Sequence, residues 1–115
     1  MNIEELRNLC KKLPGVNEDI KWGNDLCFLI GEKMFCVTCL EPPFRASFKS
    51  NEKDFAELTL REGIIPAPYL ARSKWVQVLK EDTLSTREWE QYVKESYSLI
   101  KAKLPKSILK KLTAL

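Results

Sequence analysis

LCFLIGEKMFCVTCL, residues 26–40, carries the strongest secondary-structure signal in the chain. Two apolar runs, 26–30 and 34–40, are separated by Gly31, Glu32 and Lys33. Short runs rich in β-forming residues on both sides of a glycine turn are typical of a β-hairpin. The stretch therefore predicts two neighbouring antiparallel strands.

Alternating side chains continue this pattern on both sides of the hairpin. Before it, residues 19–22 alternate between charged and apolar side chains as far as a turn at 23–25. After Pro42-Pro43, residues 44–49 alternate in the same way. A period of two is that of a strand with one buried face. Residues 17–50 therefore predict a four-stranded antiparallel meander.

Three other stretches have the spacing and the caps of helices. Apolar residues recur every three or four positions over 2–13, where Asn2 and Glu5 match a capping box. Asn51 caps a predicted helix over 52–61. Ser85 begins a third helix, with an inward stripe of Trp89, Tyr92, Val93, Ser96, Tyr97, Ile100 and Leu104. Residues 105–115 are predicted to form a basic C-terminal tail or, over 105–112, a short helix.

One loop and one further strand lie between the second and third helices. Pro66 and Pro68 disfavour a helix and predict an ordered, extended loop over 64–70. Alternation over 74–79 predicts a strand. The order α-ββββ-α-β-α predicts a two-layer α+β fold, in which an antiparallel sheet of four to five strands packs against N- and C-terminal helices. The other sheet face is expected to be partly open to water.

Length and composition are those of one small globular domain, residues 1–115. Hydrophobic residues make up 44% and charged residues 30%. No apolar run approaches the roughly 18 residues that cross a bilayer, and the N-terminus has no signal-peptide pattern. We therefore expect a cytoplasmic protein without a membrane partner. The absence of a coiled-coil seam or a long apolar edge predicts a monomer.

Histidine is absent from the chain. Ser-His-Asp and Cys-His catalytic systems are therefore excluded within it. Scattered single glycines cannot form a phosphate-binding loop. Glu18 and Asp19 are neighbours on a strand and point to opposite faces, which makes them a poor acid-base pair. We expect a non-enzymatic protein that uses no cofactor.

Cys36 and Cys39 have the C-x-x-C spacing found in redox and zinc sites. In a strand, however, residues three apart point to opposite faces. Cys10 and Cys27 stand alone and do not complete a second motif. The pattern favours buried cysteines that act as small apolar residues, with no metal site.

Six strings, taken in order, resemble the MmcQ/YjbR family of small bacterial proteins: Leu13-Pro14-Gly15-Val16, Glu18-Asp19-Ile20-Lys21-Trp22-Gly23, Lys33-Met34-Phe35, Ser47-Phe48-Lys49, Pro66-Ala67-Pro68-Tyr69 and Trp75-Val76. The resemblance covers residues 1 to about 104. It implies a frataxin-like (CyaY-like) α+β fold, and the DNA binding usually attributed to this family from a double-wing arrangement of strands. Frataxin binds iron on an acidic ridge, which the first helix of this chain lacks, so iron delivery is disfavoured.

The charge balance is mildly basic, with 19 Lys and Arg against 16 Asp and Glu. Predicted strands and loops contain five cations that could follow a phosphate backbone: Lys21, Arg45, Lys49, Arg72 and Lys74. With double-stranded DNA as the expected partner, binding would be weak and largely independent of sequence. The alternative interpretation is that these side chains only solubilise an exposed sheet face.

Three aromatic residues, Trp22, Tyr69 and Trp75, lie near cations and could stack on bases or hold a flat ligand. Packing in the core or in loops is the alternative, and it is favoured most for Trp75. The loop over 64–70 is restrained by its prolines and could form the wall of a pocket. The alternative function is therefore a small-molecule or protein-binding module with a pocket at this loop.

Overall fold

The computed structural model describes residues 1–113. The helices are α1 (Ile3–Lys11), α2 (Glu52–Leu58), α3 (Thr86–Lys101) and α4 (Lys106–Thr113). The strands are β1 (Val16–Lys21), β2 (Asp25–Ile30), β3 (Lys33–Cys39), β4 (Ala46–Lys49), β5 (Ile64–Pro66) and β6 (Trp75–Val78). A 3₁₀ helix, Ala71–Ser73, precedes β6. No helix in the described part of the chain combines the length and the apolar character needed to cross a membrane.

The strands form one antiparallel sheet in the order β1-β2-β3-β4-β6-β5. The predicted hairpin is confirmed, with Phe28 opposite Cys36 and Ile30 opposite Lys33. The register shifts after Phe28, so Phe35 is an extra residue on the β3 side. The predicted four-stranded meander is confirmed as β1 to β4.

The sheet has six strands because part of the predicted proline loop pairs with its neighbour. Residues 64–66 form β5, with Ile64 opposite Val78 and Pro66 opposite Val76. Pro66 is tolerated because β5 is an edge strand and Pro66 is its last residue. The expectation of an extended loop throughout 64–70 was therefore wrong for its first three residues.

The predicted helices are confirmed, although all three are shorter than expected, and α3 ends at Lys101, before Leu104 of its predicted stripe. The helix predicted over 2–13 ends at Lys11, and the one over 52–61 ends at Leu58. Both predicted capping boxes are present, at Asn2 and at Ser85. The short-helix alternative for the C-terminal segment is confirmed by α4, and residues 114–115 of the predicted tail lie outside the described residues.

The core lies between the sheet and helices α1 and α3. Trp89 and Val93 of α3 are fully buried there, and so are Phe28 and Phe48 of the sheet. The Phe48 and Trp89 rings pack edge to face with centroids 6.2 Å apart. Interlocking apolar side chains of this kind supply most of the free energy that stabilises a fold of this size.

Hydrogen bonds from α3 tie the core to the backbone of the sheet. The buried Ser96 Oγ donates to the Phe35 carbonyl at 2.6 Å and accepts from the Lys49 amide at 2.9 Å. The Tyr97 hydroxyl donates to the Pro14 carbonyl at 2.5 Å. The bond from Ser96 satisfies the carbonyl of Phe35, the extra residue in β3. Burial of these polar groups therefore carries little penalty.

Candidate ligand-binding site

The sheet face opposite α1 and α3, here called the outer face, carries no α-helix in the described residues. A groove of about 500 Å³ crosses it, here called the outer groove. Alternate strand residues form its floor, and two loops form its walls. The lining residues are Trp22, Asp25, Met34, Val37, Ser47, Ala67, Pro68, Tyr69, Leu70 and Gln77.

Two aromatic side chains on the walls of the outer groove are exposed to solvent. Trp22 is 74% exposed and Tyr69 is fully exposed. Both also have a left-handed backbone conformation, with φ of 52° at Trp22 and 67° at Tyr69. Large side chains rarely adopt this region, which is strained for residues other than glycine. An exposed apolar ring on a strained backbone contributes little to folding, and such positions cluster at functional sites.

The wall that carries Tyr69 is held rigidly by local backbone contacts. The Ala67 amide donates to the Trp75 carbonyl at 3.0 Å, and the Trp75 amide donates to the Leu70 carbonyl at 3.2 Å. Pro68 restricts the backbone immediately before Tyr69. Trp75 itself is 5% exposed and does not line the outer groove. Trp75 is therefore buried, as the packing alternative expects, although it is not part of the main core cluster, and its backbone hydrogen-bonds to the loop.

The floor of the outer groove contains a pair of polar side chains on two neighbouring strands. Ser47 and Gln77 are opposite each other on β4 and β6. The Gln77 amide nitrogen lies 3.5 Å from Ser47 Oγ, which is the outer limit of a hydrogen bond. Both side chains therefore keep donor and acceptor capacity that a bound molecule could use.

A smaller recess of about 220 Å³ opens from the same floor. This polar recess is lined by Asp25, Val37, Cys39, Arg45, Ser47 and Gln77. It shares four of these residues with the outer groove, so the two cavities are parts of one concave surface. Its remaining two residues, Cys39 and Arg45, extend that surface toward the start of β4.

Two of the five cations considered for DNA binding lie at one end of the sheet. Lys21 is opposite Asp25, and Asp25 is opposite Cys39. The Cys39 amide donates to the Arg45 carbonyl at 3.1 Å, which places Arg45 beside the same end.

The other three cations lie at the opposite end. Lys49 Nζ donates to the Ser73 carbonyl at 2.6 Å, and burial lowers the pKa of this amine, with a smaller contribution from Lys103. Lys74 Nζ lies 5.1 Å from the centroid of the Phe55 ring. Arg72 is exposed in the 3₁₀ helix. The five cations therefore form two separate groups, and two of the amines have partners within the protein.

The cysteines have the arrangement that strand alternation predicts. Cys36 is fully buried in the core, whereas Cys39 lines the polar recess on the outer face. A hydrogen bond with Cys36 and burial both raise the pKa of the Cys10 thiol. Within residues 1–113, no three Cys, Asp or Glu side chains are grouped as metal ligands.

Sequence reasoning selected Trp22 and Tyr69, and the structure brings them to one groove. It did not select Asp25, Met34 or Val37, which complete the floor. Strict alternation would place Met34 and Val37 on opposite faces, and only the extra residue Phe35 brings both to the outer face. No local signal indicates that two distant loops rise beside them. The floor could be recognised only after the loops were placed.

These features define a small two-layer α+β protein with a groove on the sheet face that its helices leave open. The chain belongs to the YjbR family, whose model matches residues 11–99. No significant match was found among curated proteins.

Two solved structures share this fold. The Deinococcus radiodurans protein DR2400, described with a DUF419 domain, is 26% identical, with a TM-score of 0.87 over 97% of this chain and 88% of that one. A Pseudomonas syringae protein is 17% identical, with a TM-score of 0.73 over 86% of this chain and 98% of that one. The second likeness concerns the fold alone.

Proposed function

We propose that this protein is a binding module for a small organic ligand with a flat, apolar body, held in the outer groove. The observation that carries this proposal is the pair of exposed aromatic residues, Trp22 and Tyr69, on the walls of one concave surface. The volume of about 500 Å³ lies within the range of ligand pockets, roughly 300–1,000 Å³. An apolar lining with a few polar groups is also typical of such pockets.

The chemistry of the lining supports a ligand of this kind. The rings of Trp22 and Tyr69 offer faces on which a planar molecule can stack. Met34 and Val37 provide apolar contact from the floor. Ser47, next to Gln77, can orient polar edges of the ligand by hydrogen bonding. The rigid wall reduces the conformational entropy that binding would otherwise lose.

Double-stranded DNA is the alternative partner, bound through Lys21, Arg45, Lys49, Arg72 and Lys74. The arrangement of the cations favours it less than a ligand in the groove. A phosphate backbone is best followed by cations along one continuous surface. Here they fall into two groups at opposite ends of the sheet, and the Lys49 ammonium already uses one of its three donors on the Ser73 carbonyl.

The first experiment uses indole as a probe of the outer groove. We expect indole to bind with Kd on the order of 1 mM, about −4 kcal/mol, as observed for small fragments with good contacts. Backbone amide shifts in ¹H–¹⁵N correlation spectra should change around Trp22, Val37 and residues 67–70, and saturate with concentration.

Matched variants separate groove binding from unspecific contact. Removal of one ring, in Trp22→Ala or Tyr69→Ala, should weaken indole binding about two- to twelve-fold, the equivalent of roughly 0.5–1.5 kcal/mol of aromatic stacking. Leu60→Ala is the control because Leu60 is 87% exposed and does not line the groove. Equal effects of all three variants, or the absence of saturable shifts, would contradict the proposal.

The DNA alternative is tested by the anisotropy of a labelled duplex of roughly 20 base pairs at two salt concentrations. If three to five phosphates are contacted, log K falls with log salt at a slope of about −3 to −4.5. The variant Lys49→Glu/Lys74→Glu is compared with Lys53→Glu/Lys94→Glu, which changes the charge equally at exposed sites. Salt-dependent binding that only the first variant abolishes would favour DNA over the groove ligand.

A further inference from the structure

The polar recess contains two opposite charges that are not paired with each other. Asp25 and Arg45 both line it, on either side of Cys39. Among residues 1–113, neither forms an ion pair within 4.0 Å. Within the described part of the chain, the one hydrogen bond of the Arg45 guanidinium goes to Cys39 Sγ at 3.5 Å, which is a weak acceptor.

Of the four other arginines, Arg7 and Arg61 have carboxylate partners, whereas Arg72 and Arg87 form no ion pair among residues 1–113. Arg7 binds Glu18 through two nitrogens, at 2.8 and 2.6 Å. Arg61 contacts Glu88 at 2.6 Å. Arg45 has a carboxylate across the same recess and does not contact it. The recess therefore presents a positive and a negative group to a molecule that enters it.

Strand geometry places these two groups at a useful separation. Asp25 lies on β2 and Arg45 immediately before β4, so one strand, β3, runs between them. Two strand spacings amount to roughly 9.5 Å between backbones. Both residues line the recess, and their charged groups are more than 4.0 Å apart, which suits a head group with a cation and an anion a few ångströms apart.

We propose that the ligand of the outer groove is a free α-amino acid with a large apolar or aromatic side chain. Its ammonium group contacts Asp25, and its carboxylate accepts hydrogen bonds from the fork of Arg45. Its side chain extends from the polar recess into the outer groove toward Trp22 and Tyr69. This inference rests on the proposed function and adds the class of ligand.

The surroundings of the recess do not disturb this charge pattern. Lys21, on the edge strand β1, is opposite Asp25. Asp19 lies two residues before Lys21 on the same face of β1, so the charges of Lys21 and Asp19 balance. Neither lines the recess. Cys27 is opposite Asp19 and fully buried, and burial raises its thiol pKa to about 11, so it adds no charge at neutral pH.

The test compares four probes by isothermal titration calorimetry with the full chain. L-phenylalanine carries both charges, phenethylamine only the ammonium, 3-phenylpropionate only the carboxylate, and indole neither. We expect L-phenylalanine to bind about tenfold more tightly than either singly charged probe, which is the usual effect of one charge-assisted hydrogen bond. This comparison uses the unmodified protein, so it does not depend on the folding of a variant.

Two variants then assign each charge to its partner. Arg45→Gln should remove the advantage of L-phenylalanine over phenethylamine and leave phenethylamine binding unchanged. Asp25→Asn should remove the advantage over 3-phenylpropionate and leave that probe unchanged. Arg87→Gln and Asp82→Asn are the controls, since both positions are exposed and neither lines the groove or the recess.

The outcomes separate this inference from the proposed function. If L-phenylalanine binds no better than indole, or if Arg45→Gln weakens phenethylamine as much as L-phenylalanine, the amino-acid inference is wrong and the groove function stands. If none of the four probes binds, both are wrong. The tenfold preference together with the two variant patterns supports both.

Discussion

The two faces of this sheet are built from alternate residues of the same strands, yet they have opposite characters. On the inner face, Phe28 and Phe48 are fully buried under α1 and α3, and Ser96 hydrogen-bonds to the backbone on both sides. On the outer face, the groove floor mixes apolar and polar residues. Trp22 and Tyr69 stand exposed there on left-handed backbone.

The inner face is the one that stabilises the fold. The inner face has aromatic pairs in contact and polar groups with partners, as a core requires. The outer face, in contrast, exposes two large aromatic side chains, Trp22 and Tyr69, of the kind that folding normally buries. Residues that are exposed on a strained backbone and contribute nothing to stability are the best candidates for binding.

The largest expected difference in stability is between substitutions of two neighbouring residues whose side chains point to opposite faces of β4. Phe48→Ala should lower the free energy of unfolding by about 3–5 kcal/mol, because it leaves a cavity between the sheet and Trp89. Ser47→Ala on the outer face should change it by less than about 1 kcal/mol, because its one hydrogen bond is long. Urea unfolding curves measure both. Similar losses would contradict the difference between the faces.

A smaller effect is expected from the buried hydroxyl that joins α3 to the sheet. Ser96→Ala leaves the Phe35 carbonyl and the Lys49 amide without their partner, and should cost about 2–3 kcal/mol. The control is Ser98→Ala, on the exposed side of the same helix, for which a change within about 0.5 kcal/mol is expected. Equal stability of the two variants, measured by thermal unfolding, would show that the hydroxyl is dispensable.

The third effect is a pH-dependent change in stability, and it involves residues at the start of α3 in the helical layer. The hydrogen bond from Arg61 lowers the pKa of Glu88 from 4.5 to about 2, and the Ser85 amide contributes as well. A lowered carboxyl pKa stabilises the protein above the unfolded-state pKa, and this stabilisation is lost as the pH falls through the folded-state pKa.

Glu88→Gln should therefore cost about 1 kcal/mol at pH 7, as an exposed ion pair with a capping bond does. The difference from the unsubstituted protein should shrink between pH 4.5 and 2. Urea unfolding midpoints at pH 7, 4 and 2.5 measure this difference in stability. Glu90→Gln, on the exposed face of α3, is the control. A cost that does not change with pH would contradict the ion-pair explanation.

The smallest effect on stability is expected on the outer face, where even the direction of the change is informative. Tyr69→Gly places a residue without a side-chain penalty at a backbone φ of 67°. We expect the free energy of unfolding to stay the same or to rise by up to about 1 kcal/mol, while indole binding weakens. Loss of stability would show that the exposed ring contributes to the fold.

Much of the architecture could be predicted because its signals are local. The hairpin at residues 26–40, the capping boxes at Asn2 and Ser85, and the alternation in β6 involve residues a few positions apart. The C-terminal helix was one of two predicted alternatives. The missed strand, β5, consists of three residues with a proline, and only pairing with β6 identifies it.

The candidate site was predicted in part, and the reason lies in the distances along the chain. Trp22 and Tyr69 stood out as aromatic residues beside turns and prolines, but the residues between them did not. Cations that looked equivalent in sequence have different surroundings, since Lys49 contacts a carbonyl, Lys74 lies over a ring and Arg45 faces a recess.

The sequence by itself determined the α+β class, the positions of the main helices and strands, and the division of each strand into two faces. These properties follow from periodicity, capping and turn chemistry, which act between near neighbours. Only the tertiary structure decided that β5 completes the sheet, that two loops rise beside its open face, and that Asp25 and Arg45 share one recess. Such juxtapositions join residues far apart in the chain, and they arise from strand pairing and packing rather than from any local pattern.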